Sequence, residues 1–160
     1  MTNKLRVGWF TFTCSEDNAI MLVELLNDHY FEWKDKIDFV YCKVLKSKNE
    51  LREMDVALIE GAISSDHEKH KLEEIRRLSK KLVAVGACAC TGMPSGHRNL
   101  FCPKQKKEII SFLQAYHLWE KVHHVKDFVQ VDDEVGGCPM VEARFLEVIS
   151  KYLKEFGIVQ

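Results

Sequence analysis

The residues of this sequence best suited to chemistry are its six cysteines. The apolar stretch that follows Lys4 and Arg6 has no small-residue cleavage site behind it, so we expect no export signal. Cysteines in an unexported protein are expected to be reduced, bound to metal or catalytic rather than paired in disulfides. Thiolates are soft ligands that suit iron-sulfur clusters, and a four-iron cubane takes four of them.

Four of the cysteines follow predicted strands. Cys14 comes after the first strand, Cys88 and Cys90 after the fourth, and Cys138 after the fifth, in the turn before the last helix. The carboxyl ends of parallel strands meet at one edge of a sheet, so we expect these sulfurs to converge there. Neighbouring glycines, Gly137 among them, allow the backbone to approach a cluster closely. The sequence therefore predicts an iron-sulfur site at this edge.

The other two cysteines are predicted to have no metal role. Cys42 lies in the middle of a strand, where a free cysteine packs as a small apolar side chain, and Cys102 lies in a loop. A zinc site is disfavoured because the sequence has no C-x-x-C pair and no histidine pair at ligand spacing. Nucleotide-binding glycine loops are also missing from the sequence, while a flavin is compatible with the fold alone.

The elements that position these residues alternate along the chain. Apolar runs predict strands over residues 5–12, 37–45, 54–63, 81–86 and 128–131. Apolar side chains at three- and four-residue spacing predict helices over residues 18–29, 65–80, 104–116 and 141–156. Strands that alternate with helices indicate an α/β fold, a doubly wound, flavodoxin-like parallel sheet. We expect one cluster-binding domain over residues 1–160.

Composition and charge exclude several function classes. The chain has 23 Lys and Arg against 24 Asp and Glu, a net charge of −1, so we expect no nucleic-acid binding. Its 46% hydrophobic and 29% charged residues are typical of a chain that folds. The longest stretch without a charge, residues 82–96, is shorter than the roughly 18 to 20 residues of a membrane-spanning helix. We therefore predict no direct membrane insertion.

Four short motifs in this order resemble those of a known family. They are TCSED at residues 13–17, IEGAI at 59–63, GACA at 86–89 and GCPM at 137–140. Together they resemble the small subunit of nickel-iron hydrogenases, above all the short, single-cluster subunits of the cytoplasmic enzymes. The cluster-bearing subunit of respiratory complex I shares the pattern. The resemblance implies a flavodoxin-like domain that holds one proximal 4Fe-4S cluster against a large subunit with the nickel-iron site.

The same resemblance implies most of the cluster ligands. Cys14, Cys88 and Cys138 correspond directly to family ligands, but the first loop has one cysteine where relatives have two. Cys90, close behind Cys88, is the favoured replacement. Oxygen ligation by Asp17 or Ser15, or a thiolate from Cys102, are the alternatives.

Two acidic residues and one glycine are predicted beside the cluster. Glu16 either lies on a proton path near Cys14 or is an acidic residue that stabilises the first turn of a helix. Glu60 either lines the cluster pocket or caps the following helix, and Gly137 lies in the turn that carries Cys138.

The function that the resemblance implies is electron relay. The chain would be the small subunit of a cytoplasmic hydrogenase, an oxidoreductase only as part of its complex, and would carry no catalytic residue of its own. Electrons would pass between the large subunit and a diaphorase-like or ferredoxin-like acceptor protein. Two other hypotheses stay open. One is a cluster-binding redox sensor without a catalytic partner, and the other is a complex-I-like subunit that passes electrons toward quinone.

Overall fold

A computed structural model describes residues 4–160 of the chain. Its strands are β1 (Leu5–Thr11), β2 (Ile37–Cys42), β3 (Met54–Glu60), β4 (Ser79–Val85) and β5 (Asp133–Val135). They form one five-stranded sheet in the order β2-β1-β3-β4-β5, and every neighbouring pair is parallel. This is the strand order of flavodoxin-like doubly wound sheets. The predicted α/β fold class is confirmed.

Helices cover both faces of the sheet. They are α1 (Asp17–Trp33), α2 (Asp66–Leu78), α3 (Gly86–Thr91), α4 (Pro103–Ala115) and α5 (Glu142–Glu155). Side chains of β1, β3 and β4 that point to one face pack with α1 and α5, and those that point to the other face pack with α2. Because these central strands are covered on both faces, their sequences are almost continuously apolar.

The fifth strand differs from the prediction. Residues 128–131 do not pair with the sheet, and β5 begins only at Asp133, next to β4. The apolar side chains of the predicted strand instead pack against the core beneath α2; they are Phe128, Val129 and Val131. Two of the three residues in β5 are acidic, so a search for runs of apolar residues does not detect this strand.

A short helix was also missed. The sequence predicts a turn after β4, whereas residues Gly86–Thr91 form α3. Gly86 starts this helix with a φ of +83°, a conformation that glycine adopts without strain. Helical geometry there decides the directions in which Cys88 and Cys90 point.

A buried carboxylate joins three strands at the end of the sheet opposite the cysteines. Asp55 in β3 accepts hydrogen bonds from the backbone N–H of Arg6 (3.0 Å) and from the guanidinium of Arg6 (3.1 and 3.2 Å). It also pairs with Lys80 of β4 at 2.8 Å. Burial alone would raise the pKa of Asp55, but Arg6 and Lys80 outweigh it and lower the pKa to about 2.

We expect Asp55→Asn to lower the free energy of unfolding by about 1 to 2 kcal/mol at pH 7. A folded-state pKa below the unfolded value of 3.8 gives stability that is present above pH 4 and is lost as the pH falls through 2. Urea unfolding of both proteins from pH 7 to pH 2 measures the difference in their free energies of unfolding. This difference should disappear as the pH falls from 4 to 2. Asp38→Asn is the matched control, because Asp38 pairs with Arg52 on the exposed surface at 3.7 Å. A difference that does not change with pH contradicts the assignment.

Candidate metal centre

Three of the predicted ligands meet at one edge of the sheet. Cys14 follows β1, Cys88 lies in α3 directly after β4, and Cys138 lies in the turn after β5. Cys14 packs against Cys88 in a small apolar cluster with Ala62 and Val122. Cys138 is exposed, and its turn is joined to α3 by the hydrogen bond from the N–H of Ala87 to the carbonyl oxygen of Gly137. The three thiols therefore share one site.

Asp17 brings a carboxylate to the same place. The thiol of Cys138 donates to Asp17 Oδ2 at 3.2 Å. The other oxygen, Oδ1, accepts from the hydroxyl of Ser15 (3.2 Å) and from the backbone N–H of Asn18 (3.1 Å). The hydroxyl of Ser15 is thus directed at Asp17. Of the oxygen ligands predicted from the sequence, Asp17 is the one in contact with a candidate cysteine.

The structure does not bring Cys90 to this site. Successive residues of a helix are rotated by about 100°, so Cys90 points about 200° away from Cys88. The Cys90 thiol lies in the core beneath α2, where it donates to the carbonyl oxygen of Ala84 at 3.5 Å. Burial raises its pKa to about 11. The expectation that Cys90 joins the other sulfurs is corrected, because α3 is a helix and not an extended turn.

The remaining cysteines lie elsewhere. Cys102 is exposed at the N-terminus of α4, where its side chain and that of Gln105 form a reciprocal cap. Cys42 is fully buried at the end of β2, in agreement with the core role expected for it.

Two of the thiols at the site, those of Cys14 and Cys138, have raised pKa values. Burial raises the pKa of Cys14 to about 12, and the nearby charges of Glu60, Cys88 and Glu16 act in the same direction. The hydrogen bond to Asp17 is the main cause that raises the pKa of Cys138. Metal ligation requires thiolates, so iron would displace these protons on binding.

The candidate donor set consists of three thiols and one carboxyl group. Within residues 4–160, no three His, Cys, Asp or Glu side chains surround a point that one metal ion would fill. Three sulfurs and one carboxylate come from the segments that follow β1, β4 and β5. Thiolates are the usual ligands of iron-sulfur clusters, so the chemistry of this donor set is compatible with one.

Two glycines let the turns approach each other. The carbonyl oxygen of Gly137 accepts from the N–H of Ala87 at 2.7 Å, which joins the turn of Cys138 to α3. Gly137 has a φ of +112°, and a Cβ there would lie 2.5 Å from the carbonyl oxygen of Pro139. A Cβ on Gly86 would lie 2.4 Å from the side-chain nitrogen of Asn18. Both positions therefore require glycine.

Glu60 does not cap the following helix and instead bonds to Asn18 beside the first cysteine loop. Its carboxyl group is fully buried and accepts from Trp9 Nε1 (3.3 Å) and Thr11 Oγ1 (3.1 Å). It also accepts from the backbone N–H (3.1 Å) and the side-chain amide (3.0 Å) of Asn18. The cap of α2 is Ser65, whose hydroxyl accepts from the N–H of Glu68. Glu60 thus ties β1, β3 and the start of α1 together.

Asn18 is the functional residue that the sequence analysis missed. Besides its bonds to Glu60, its side-chain oxygen accepts from the N–H of Met140 at 2.7 Å. It therefore connects the first cysteine loop to the turn of Cys138. The available signal was a polar residue on the buried stripe of α1, one turn before Leu22 and two before Leu25.

Glu16 contacts the site through its backbone. Its N–H donates to the sulfur of Cys14 at 3.3 Å, while its side chain is exposed. Its φ of +62° turns the chain sharply before α1 begins. This turn brings Cys14 and Asp17 to the same opening.

Comparisons with known proteins identify similar chains. The sequence profile of the family described as "NADH ubiquinone oxidoreductase, 20 Kd subunit" matches residues 16–152. One component of the F420-non-reducing hydrogenase vhu of Methanocaldococcus jannaschii is 30% identical over 155 residues, 87% of this chain and 52% of that protein. The gamma component of the coenzyme F420 hydrogenase of Methanosarcina barkeri is 32% identical over 153 residues, 87% of this chain and 50% of that protein.

A solved structure shares the fold over nearly its whole length. A chain of the NAD+-reducing NiFe hydrogenase in the H2-reduced state superposes with a TM-score of 0.78 at 23% identity. The match covers 96% of this chain and 93% of that one. The present chain, by contrast, spans about half the length of the curated relatives it matches.

We expect Asn18→Ala to lower the free energy of unfolding by about 2 kcal/mol, because it removes one of the four donors to the buried Glu60 and leaves the buried N–H of Met140 without a partner. Urea unfolding measures the loss, and hydrogen exchange at the Met140 amide should become faster. Asn49→Ala is the matched control. Asn49 also accepts a backbone hydrogen bond, from Cys42, but at the partly buried edge of the sheet. An equal or larger loss in the control contradicts the positioning role of Asn18.

Proposed function

Because the chain belongs to the NADH ubiquinone oxidoreductase, 20 Kd subunit family, we propose that it is the electron-transfer small subunit of a nickel-iron hydrogenase and binds one 4Fe-4S cluster. The observation that carries the proposal is the convergence of Cys14, Cys88 and Cys138 with Asp17 at one edge of the sheet. When bound, the cluster supplies one-electron transfer. The catalytic metal site belongs to the large subunit.

The proposed ligands are Cys14, Cys88, Cys138 and Asp17. Asp17 is preferred to Cys90 because Cys90 lies in the core on another side of α3. It is preferred to Ser15 because Ser15 donates to Asp17, and to Cys102 because Cys102 caps α4. Loss of the Cys138 proton to iron would free the carboxylate oxygen that accepts it.

The chain's own residues tune the site. The N–H of Glu16 donates to the sulfur of Cys14, and the Ser95 hydroxyl lies 3.1 Å from the sulfur of Cys88. Hydrogen bonds to cluster sulfurs and burial of the site both set the potential at which electrons leave. Ala62 and Val122 exclude water from the side where Cys14 and Cys88 meet.

The proposed partners are a large subunit and an acceptor protein. Relatives of this chain are named as subunits of hydrogenases, which supports assembly with a catalytic subunit. We place the complex in the cytoplasm, as the resemblance to the short small subunits implies. None of the helices within residues 4–160 has the length and apolar character needed to cross a membrane.

The test is anaerobic co-expression with the large subunit, followed by iron, sulfide and zinc analysis and electron paramagnetic resonance. We expect about four iron and four sulfide per chain, as a cubane requires. Cys88→Ser should lose the cluster. Asp17→Ala should leave a three-iron centre held by three thiolates, with a signal in the oxidised state. Cys90→Ser is the matched control and should retain the wild-type iron content and spectrum.

Other outcomes assign the chain differently. About one zinc without sulfide contradicts the cluster. Loss of iron in Cys90→Ser together with an intact centre in Asp17→Ala makes Cys90 the fourth ligand. Purification without any nickel-bearing subunit favours the redox-sensor hypothesis, and activity confined to the membrane fraction favours the complex-I-like hypothesis.

A further inference from the structure

Residues 93–122, here named the excursion, leave the sheet edge beside the candidate cluster site and return to it. At the start, the hydroxyl of Ser95 lies 3.1 Å from the sulfur of Cys88, and at the end Val122 packs against the same cysteine. Asn99 closes the base, because its side chain donates to and accepts from the backbone of Val122, both at 2.8 Å. The excursion is therefore fixed to a proposed ligand.

The outer part of the excursion is α4, and little of this helix is covered. Leu113 is its one buried residue, while Ile110, Phe112 and Tyr116 are 41%, 60% and 63% exposed. The rings of Phe112 and Tyr116 contact each other, with centroids 4.6 Å apart. A helix of this length draws its stability mainly from packing of its apolar side. Exposed apolar side chains of this kind mark an interaction surface.

The charge of α4 indicates what binds there. Its first half carries Lys104, Lys106 and Lys107 against the single acidic residue Glu108, although the whole chain has a net charge of −1. All three lysines are exposed. A positive patch that adjoins exposed aromatic rings fits a negatively charged partner with an apolar hollow.

A protein fits this surface better than a lipid membrane does. Leu113 lies at the centre of the apolar stripe of α4 and is turned toward the chain's own fold. Ile110 and Tyr116 flank it, one turn before and one turn after. A helix that binds a bilayer lays its whole apolar face into the lipid, which the position of Leu113 prevents.

We propose that the exposed face of α4 is the docking site for the electron acceptor, an acidic redox protein. The inference rests on the proposed function and names the partner of the same cluster. Ser95 and Val122 lie at the two ends of the closed segment that contains α4, so α4 belongs to the segment that contacts the proposed ligand Cys88. Opposite charges would guide the encounter, and the apolar side chains would hold the docked partner.

The experiment uses the complex with the large subunit and two electron acceptors. Hydrogen-dependent reduction of a small acidic 4Fe-4S ferredoxin reports docking, and reduction of methyl viologen reports the relay without docking. We expect the triple variant K104E/K106E/K107E to lower kcat/KM for the ferredoxin about tenfold or more at low salt. Viologen reduction should stay unchanged, and the difference should shrink at high salt.

Two further variants separate charge and apolar contact from damage to the fold. K34E/K48E/K154E reverses the same number of exposed lysines on other elements and should change ferredoxin reduction by less than about twofold. F112S/Y116S keeps the charge of α4 and should raise KM for the ferredoxin severalfold at low and at high salt, because these rings contribute apolar contact. Circular dichroism confirms that each variant remains folded.

Several results overturn the proposal. Unchanged ferredoxin reduction in the triple variant removes α4 from the docking surface. Loss of viologen reduction, or of the large subunit, in that variant makes α4 a contact of the catalytic partner. If the wild-type complex binds phosphatidylserine vesicles and the triple variant does not, the surface of α4 is a lipid contact. Absence of viologen reduction in the wild-type complex instead overturns the proposed function, and the docking proposal with it.

Discussion

The hydrogen bonds between Glu60 and Asn18 are the constraint on which the metal centre depends. A fully buried carboxyl group is tolerated only when its oxygens are satisfied, and here Trp9, Thr11 and Asn18 supply all four donors. Asn18 in turn accepts from Met140. The start of α1 and the turn after β5 are thereby fixed relative to β3. Cys14, Asp17 and Cys138 lie within four residues of one or other end of this network, so their geometry follows from it.

The sequence was sufficient for four of the five strands and for the three cysteines that follow strands of the sheet. Alternating apolar runs and amphipathic helices imply parallel strands, and parallel strands bring the residues after their carboxyl ends together. Position in the chain therefore predicted that Cys14, Cys88 and Cys138 meet. The apolar pattern of the sequence did not indicate β5, because this strand has only three residues and two of them are acidic. The apolar run before it packs on the core as a loop.

The side on which a cysteine lies could not be predicted without local backbone geometry. In an extended turn, residues two apart point the same way, whereas in a helix they point in nearly opposite directions. The six residues of α3 are too few to show a helical period, so Cys88 and Cys90 looked equivalent in sequence. The helix places one thiol at the sheet edge and the other in the core. The position of Asp17 depends on the left-handed backbone conformation of Glu16, which could not be predicted from the residue types.

The base of the excursion and its outer helix α4 meet different requirements of electron transfer. A redox centre transfers electrons with little reorganisation when its ligands are held rigidly, and at the base the Ser95 hydroxyl and the apolar cluster with Val122 hold one proposed ligand, the buried Cys88. A partner that arrives and leaves needs the opposite, an exposed surface with charges that act over distance and few apolar anchors. Such a surface lies on α4. Because Asn99 closes the base of the excursion, the exposed helix is joined to the rigid site and does not depend on a flexible linker for its position.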